Sequence, residues 1–209
     1  MEYTVMVAIY PVILTNVVKK ELGKYYESSD IKRIIQCTRV DYYDIIKRTP
    51  DMGGSKNYYI ANMYLGAYLI GLYKNIREKI SLEEYNNIIE NGLKNCGLLK
   101  LKMKKVNYLS SKYRKSLYKR AKWAKENETK YPWTWQIRIP ENKNRDGLYF
   151  EFTQCGLCKL CINENVPELT QLMCNTDYLS FSLAGFKLIR TKTLAVGNDY
   201  CDFWVLKNE

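Results

Sequence analysis

The 209-residue chain contains no histidine. Imidazole is the side chain that most readily changes charge near neutrality, and it is the commonest nitrogen ligand to metals. Its absence excludes a Ser-His-Asp triad, a histidine-assisted cysteine nucleophile and any zinc site with a histidine ligand. Chemistry must fall to thiols, carboxylates, Arg, Lys, Tyr or backbone groups. Long apolar runs are lacking too. The most apolar segment, Tyr58 to Tyr73, is 16 residues long, includes Asn62 and several tyrosines, and is followed by Lys74 and Arg77. A bilayer needs about 20 apolar residues, so this segment reads as a buried helix and no membrane partner is expected. No charged-then-apolar leader is present, and Glu2 sits where one would carry positive charge. With an odd count of seven cysteines, this predicts reduced thiols in a cytoplasm. Internal repeats and low-complexity linkers are absent.

A hydrophobic content of 46% supplies a core for one large domain or two closely packed subdomains. Of the nineteen tyrosines, each with an apolar body and a polar tip, many are expected at half-buried rims rather than in deep core. The net charge of +11 is concentrated: eleven Lys and Arg lie between 100 and 125 with no acid among them, leaving 22 basic against 22 acidic residues elsewhere. The basic segment reads as a solvated helix face that could attract an anionic small molecule. Tyr113, Tyr118 and Trp123 intersperse the cations, but no nucleic-acid-binding motif accompanies them, so nucleic acid is not the expected partner.

Apolar spacing predicts two helices over 10–48, the second capped by Ser28, Ser29 and Asp30 and ended by Pro50, Gly53 and Gly54. A buried helix follows over Tyr58–Ile76. The capping box Ser81-Leu82-Glu83-Glu84 starts another that stops near Gly97. An amphipathic helix runs from about Val106 to Glu126, with Leu109, Tyr113, Leu117 and Ala121 on its docking face. The period then changes to two: Trp133–Ile139 and Leu148–Phe152 form a hairpin across Asn142–Gly147. A helix containing Leu169, Leu172 and Met173 stands behind Pro167 and ends at Gly185. Lys187–Leu194 and Tyr200–Leu206 form a second hairpin through Gly197-Asn198. The fold class is thus α+β: a helical region over 1–127 packed on an α+β, cysteine-containing region over 128–209, whose hairpin-helix-hairpin makes a four-stranded, mostly antiparallel sheet in one compact domain.

Five of the seven cysteines fall between Cys155 and Cys201. Phe152-Thr153-Gln154-Cys155, Pro167-Glu168-Leu169, Met173-Cys174-Asn175-Thr176-Asp177, Arg190-Thr191-Lys192-Thr193-Leu194-Ala195-Val196-Gly197 and Cys201-Asp202-Phe203 stand in that order. In order and spacing they resemble the L-2-amino-thiazoline-4-carboxylic acid hydrolase family. Gly53-Gly54-Ser55-Lys56-Asn57 looks like a weaker, earlier family feature. The resemblance implies a bacterial, cytoplasmic hydrolase that opens a small cyclic isothiourea or amidine acid. Water adds to the ring carbon between nitrogen and sulfur, and a carbamoyl-cysteine results. The implied partner is a small-molecule carboxylate; no cofactor or metal is implied.

The residues carry their own reading. Cys174 and Asp177 are three apart on a helix and share a face. Strand parity takes Tyr149, Glu151, Thr153 and Cys155 to one side of the sheet, and Cys201, Phe203 and Val205 to one side of theirs. Cys155 precedes a short helix-like segment whose free amides and dipole would favour a thiolate. Cys155, Cys174, Asp177, Cys201 and Asp202 are the candidate catalytic set. Arg190, with Thr191 and Thr193, is the candidate substrate-binding set, Arg190 holding the substrate carboxylate in a bidentate contact. Asp177 or Asp202 would take a proton from water or hold the protonated amidine, and Cys155 would be a nucleophile or an acid to the departing thiolate. The plainer alternatives are that the cysteines fill core and that Arg190 and Asp202 form a cross-strand ion pair. Cys37 and Cys96 read as core. Cys155, Cys158 and Cys161 also spell the first three positions of an iron-sulfur or zinc run, whose fourth position holds Asn165 followed by Val166. The sequence does not set an oligomeric state.

Overall fold

A computed structural model of the chain describes residues 5–140 and 146–208. Residues 142–145 of the predicted Asn142–Gly147 turn lie outside the described residues. The first half is helical: α1 (Val5–Leu22), α2 (Ser28–Arg48), α3 (Ile60–Ile76), α4 (Leu82–Asn95), α5 (Gly97–Met103) and α6 (Ser111–Glu126). Helix α1 begins earlier than its sequence pattern suggests and carries Pro11 in its interior. Pro11 has no amide to give Val7, four residues back. The hydroxyl of Tyr42 in α2 donates to that carbonyl oxygen at 3.0 Å, so the missing helical bond is replaced across an interface.

Helix α3 is buried on nearly every side, as its continuous apolar character predicts. Gly71 allows the close approach to α2, since a Cβ there would lie 3.0 Å from the carbonyl oxygen of Thr38. Among the described residues no helix is long and apolar enough to cross a membrane. Many tyrosines, Tyr10, Tyr43, Tyr59 and Tyr113 among them, are half-buried as expected, but others lie deep in the core. Tyr42, Tyr64, Tyr68 and Tyr85 are among the largest fully buried side chains. Their hydroxyls find partners inside: Tyr85 donates to the carbonyl of Leu69 at 2.6 Å, and Tyr68 shares a bond with Thr15 at 2.9 Å.

The capping box at Ser81 forms as read, with the Glu84 amide on the Ser81 hydroxyl and the Glu84 carboxylate on the Ser81 amide. Helix α4 stops at Asn95, but Gly97 starts the short helix α5, which periodicity does not reveal in a seven-residue stretch.

The second half holds β1 (Gln136–Arg138), β2 (Leu148–Gln154), α7 (Gly156–Asn163), α8 (Leu169–Leu183), β3 (Phe186–Ile189) and β4 (Cys201–Lys207). The sheet order is β1-β2-β4-β3 and all three pairings are antiparallel. This is the four-stranded α+β arrangement read from the alternation, with β1 and β3 shorter than predicted. Two hydrophobic clusters result. One joins the N-terminal helices to Trp135, Leu160, Leu169 and Met173, and the other joins the inner sheet face to Met103, Tyr108, Leu117 and Phe181. Phe152 packs against both.

Candidate active site

A cavity of about 280 Å³ opens at the seam between the two clusters. Its floor is the inward face of the sheet. The register sets Phe150 opposite Phe203 and Phe152 opposite Cys201, so alternation turns Phe150, Phe152, Cys201 and Phe203 into the cavity together. Helix α8 covers this face and contributes Met173, Cys174, Asp177 and Phe181, at spacings that keep them on one side. Tyr59, Tyr108 and Tyr113 close the walls. Cys155 also lines the cavity, beside Cys174, Asp177 and Cys201 as the expected cluster requires, although strand parity alone would group it with Tyr149, Glu151 and Thr153. Strand β2 ends at Gln154 and Cys155 is the N-cap of α7. The chain has already left the pleat there, and alternation no longer governs its side chain.

Asp177 and Arg190 are the charged pair of this lining. Arg190 donates from Nη1 to Oδ2 of Asp177 at 3.0 Å and from Nη2 to the carbonyl oxygen of Cys174 at 2.8 Å. The Arg190 side chain is 2% exposed, and its guanidinium lies 5.0 Å from the ring centroids of both Tyr178 and Phe203. Asp177 retains 40% of its side-chain surface and lines the cavity. Burial pushes its pKa up to about 6, and the charge and hydrogen bond of Arg190 restrain the rise. A carboxyl titrating near 6 can accept and return a proton near neutrality.

The three thiols of the cavity are held protonated. Burial raises Cys174 far above the usual thiol range despite the lowering influence of Arg190. Burial also lifts Cys201 to about 11, although the Leu194 amide donates to its sulfur at 3.2 Å. A hydrogen bond with the Cys158 thiol, together with burial, raises Cys155 well above the ordinary value, and the nearby amides of α7 do not reverse this. The expected thiolate at the start of α7 is therefore corrected: desolvation and a neighbouring thiol outweigh the short helix.

With this geometry in view, the chain matches the family model described as L-2-amino-thiazoline-4-carboxylic acid hydrolase over residues 61–205. It belongs to that family. Neither the curated proteins nor the solved structures contain a match. The matched stretch begins just after the Gly53–Asn57 segment, which thus lies outside it. Asn57 nevertheless bears on the site: its Nδ2 donates to the Met52 carbonyl at 2.9 Å and to Thr134 Oγ1 at 3.1 Å. Its Oδ1 accepts the Tyr59 amide at 2.9 Å, fixing a wall residue of the cavity.

Within this hydrolase-family chain the predicted site residues divide. Cys155, Cys174, Asp177, Arg190 and Cys201 share the cavity, while Asp202, Thr191 and Thr193 are outside its lining. The reason is parity. Asp202 follows Cys201 on β4 and faces away from the cavity, accepting the Thr191 amide at 2.8 Å, the Thr191 hydroxyl at 2.7 Å and the Lys192 amide at 2.6 Å. Burial penalises its charge, but these bonds together hold its pKa below the usual carboxylate value. It clamps the β3–β4 connection. The proposed Arg190–Asp202 ion pair is replaced by Arg190–Asp177. Cys161 does not join Cys155 and Cys158, since its buried thiol points at Met173 Sδ, 3.9 Å away. Among the described residues no group of three or more Cys, Asp or Glu is placed to hold a metal ion.

Sequence reasoning missed Arg120 and Tyr59. Nine of the eleven cations between 100 and 125 are exposed, as a solvated face requires, but Arg114 and Arg120 are half-buried. The inward stripe of α6 runs through Tyr113, Leu117, Arg120 and Ala124, not through Ala121. An arginine at the seventh position after Tyr113, on the apolar stripe, was the available signal.

Proposed function

We propose that the cavity hydrolyses a small cyclic amidine or isothiourea acid, with Asp177 as the group that moves the proton. The supporting observation is convergence: one carboxyl, one buried guanidinium and three protonated thiols line a space of about 280 Å³, which suits a single small ring compound. Ionised Asp177 takes a proton from water as its oxygen adds to the ring carbon between nitrogen and sulfur. The ring carbon–sulfur bond then breaks, the water oxygen becomes the carbonyl of the ureido product, and its two protons end on the ring nitrogen and the departing sulfur. Asp177, protonated by the first step, returns its proton in the second.

The thiols serve this reading as neutral, weakly hydrogen-bonding walls for a ring that contains sulfur. Attack by Cys155 or Cys174 would first require ionisation of a thiol whose surroundings oppose it. Arg190 is committed through both terminal nitrogens to Asp177 and Cys174, so its role in this mechanism is to set the position and acidity of Asp177. Because all seven cysteines are free thiols, a reducing compartment such as a cytoplasm suits the protein.

The test is incubation with L-2-amino-thiazoline-4-carboxylate, following released thiol. Turnover by the wild-type protein that disappears in Asp177→Asn is the expected result. Absence of thiol release from the wild type at any pH from 5 to 9 would overturn the assignment to this substrate.

A further inference from the structure

We propose that Arg120 is the anion-binding residue of this cavity, receiving the ligand's carboxylate at the corner formed by Tyr59 and Tyr113. This rests on the preceding reading for the identity of the ring, but the argument for an anion is independent of it.

The first observation is placement. Arg120 lies on the buried stripe of α6, flanked by Leu117 at 1% and Ala124 at 2% exposure. Its guanidinium carbon is 5.8, 5.7 and 5.4 Å from the ring centroids of Tyr58, Tyr59 and Tyr113, and the hydroxyls of Tyr59 and Tyr113 are its hydrogen-bonding neighbours. Both of these tyrosines line the cavity. Aromatic faces hold a guanidinium in a fixed orientation while leaving its charge uncancelled.

The second observation is charge. Burial keeps Tyr59, Tyr108 and Tyr113 protonated, so none of them neutralises Arg120. Among the described residues no carboxylate lies within ion-pair distance of Arg120, whereas Asp177, the carboxyl of the cavity lining, is already bonded to Arg190. Arg120 is not itself in the cavity lining but packs against two tyrosines that are, so two guanidiniums border a region with one carboxylate, and a monoanionic ligand would balance the set.

The third observation is an unspent donor. Nε of Arg120 is buried and has no hydrogen-bond partner. A half-buried cation with an idle donor is unfavourable unless a ligand completes it. The guanidinium fork matches a carboxylate in shape, through two parallel N–H···O bonds. Nε of Arg190 is likewise buried and unpartnered, but both of its terminal nitrogens are bonded within the protein, so Arg190 has no free fork to offer. The substrate carboxylate thus belongs at the Arg120 end, with the ring directed toward Asp177 and the thiols.

The experiment compares L-thiazolidine-4-carboxylate, a saturated ring acid lacking the reactive amidine carbon, with its carboxamide by calorimetric titration. Wild-type protein should bind the acid at least ~10-fold more tightly than the amide, in line with a charge-assisted bidentate contact. Arg120→Met, which keeps the apolar stem, should bring the acid down to the affinity of the amide and leave the amide unchanged. Arg120→Lys, which keeps the charge and the fold, should retain only part of the preference, and it decides the question if the Met variant does not fold. A wild-type protein without preference for the acid, or an undiminished preference in both variants, would overturn the proposal. Neither titration requires turnover. A retained acid preference with no thiol release from L-2-amino-thiazoline-4-carboxylate would sink the hydrolase reading and leave the anion site standing.

Discussion

Arg190 holds Asp177 through Nη1 at 3.0 Å while its Nη2 grips the Cys174 carbonyl on the same helix, 2.8 Å away. The second bond anchors the guanidinium to the backbone of α8, so the first sets the carboxylate's direction as well as its charge. Arg190→Met should therefore do more than weaken activity. Loss of the lowering influence should carry the acidic limb of the kcat/KM profile above about 6, the present position of Asp177. An unmoved limb in a folded variant would mean that another group titrates.

In the wild-type protein, kcat/KM should rise with pH through about 6 and then level, as Asp177 loses its proton. Stability should change in the opposite sense. A carboxyl whose folded pKa is raised binds more protons in the native state than in the unfolded chain between about 3.8 and about 6. Its contribution therefore falls as pH rises through that window. Asp177→Asn should remove both effects, which thermal melts at pH 4, 5 and 7 beside rate profiles will reveal.

The cavity thiols should be slow to alkylate. Iodoacetamide at pH 7 should modify Cys155, Cys174 and Cys201 more slowly than an unhindered model thiol, since the hydrogen bond with Cys158 and burial keep Cys155 protonated and burial does the same for Cys174 and Cys201. Substitution of any one by Ala should cost far less turnover than Asp177→Asn. A substrate-derived adduct on Cys155 in an intact-mass spectrum would contradict the assignment of the proton-transfer role to Asp177 acting on water.

Asp202→Asn separates the two aspartates. With three hydrogen bonds to Thr191 and Lys192, Asp202 should show its loss in the melting temperature, by the equivalent of about 1–2 kcal/mol. Once folded, the variant should keep a kcat within a few-fold of wild type. A collapse of kcat with unchanged stability would return Asp202 to the chemistry.

Glu164 offers a test remote from the cavity. Its 2%-exposed side chain accepts from Arg48 at 2.7 and 2.5 Å and from Lys74 at 2.7 Å, tying α2 and α3 to the end of α7. Burial disfavours its charge, but these partners prevail and lower its pKa below 4.5. For a depressed carboxyl the stabilisation is complete above the unfolded value and is lost as pH falls through the folded one. Glu164→Gln should cost about 2 kcal/mol at pH 7, and the difference from wild type should shrink in melts below about pH 4.

Much of this architecture was legible because it depends on periodicity and capping. The buried helix over 60–76, the Ser81 capping box, the two hairpins and the shared face of Cys174 and Asp177 all follow from spacing along one element. The errors fall where elements end or meet. Alternation alone would misplace Cys155 because the chain leaves β2 one residue before it, and the apolar stripe of α6 passed through Arg120 where Ala121 had been expected.

By itself the sequence determined what chemistry was unavailable, through the missing histidine, and which residues could share a strand or helix face. It could not say that Arg190 would pair with Asp177 in preference to Asp202. That choice depends on the packing of α8 over the inner face of the sheet, a contact between elements. Nor could it distinguish one half-buried guanidinium from the other cations of the basic segment. Hydrogen-bond partners, cavity walls and desolvation arise only when the two hydrophobic clusters meet, and these decide the charge state of every group in the site.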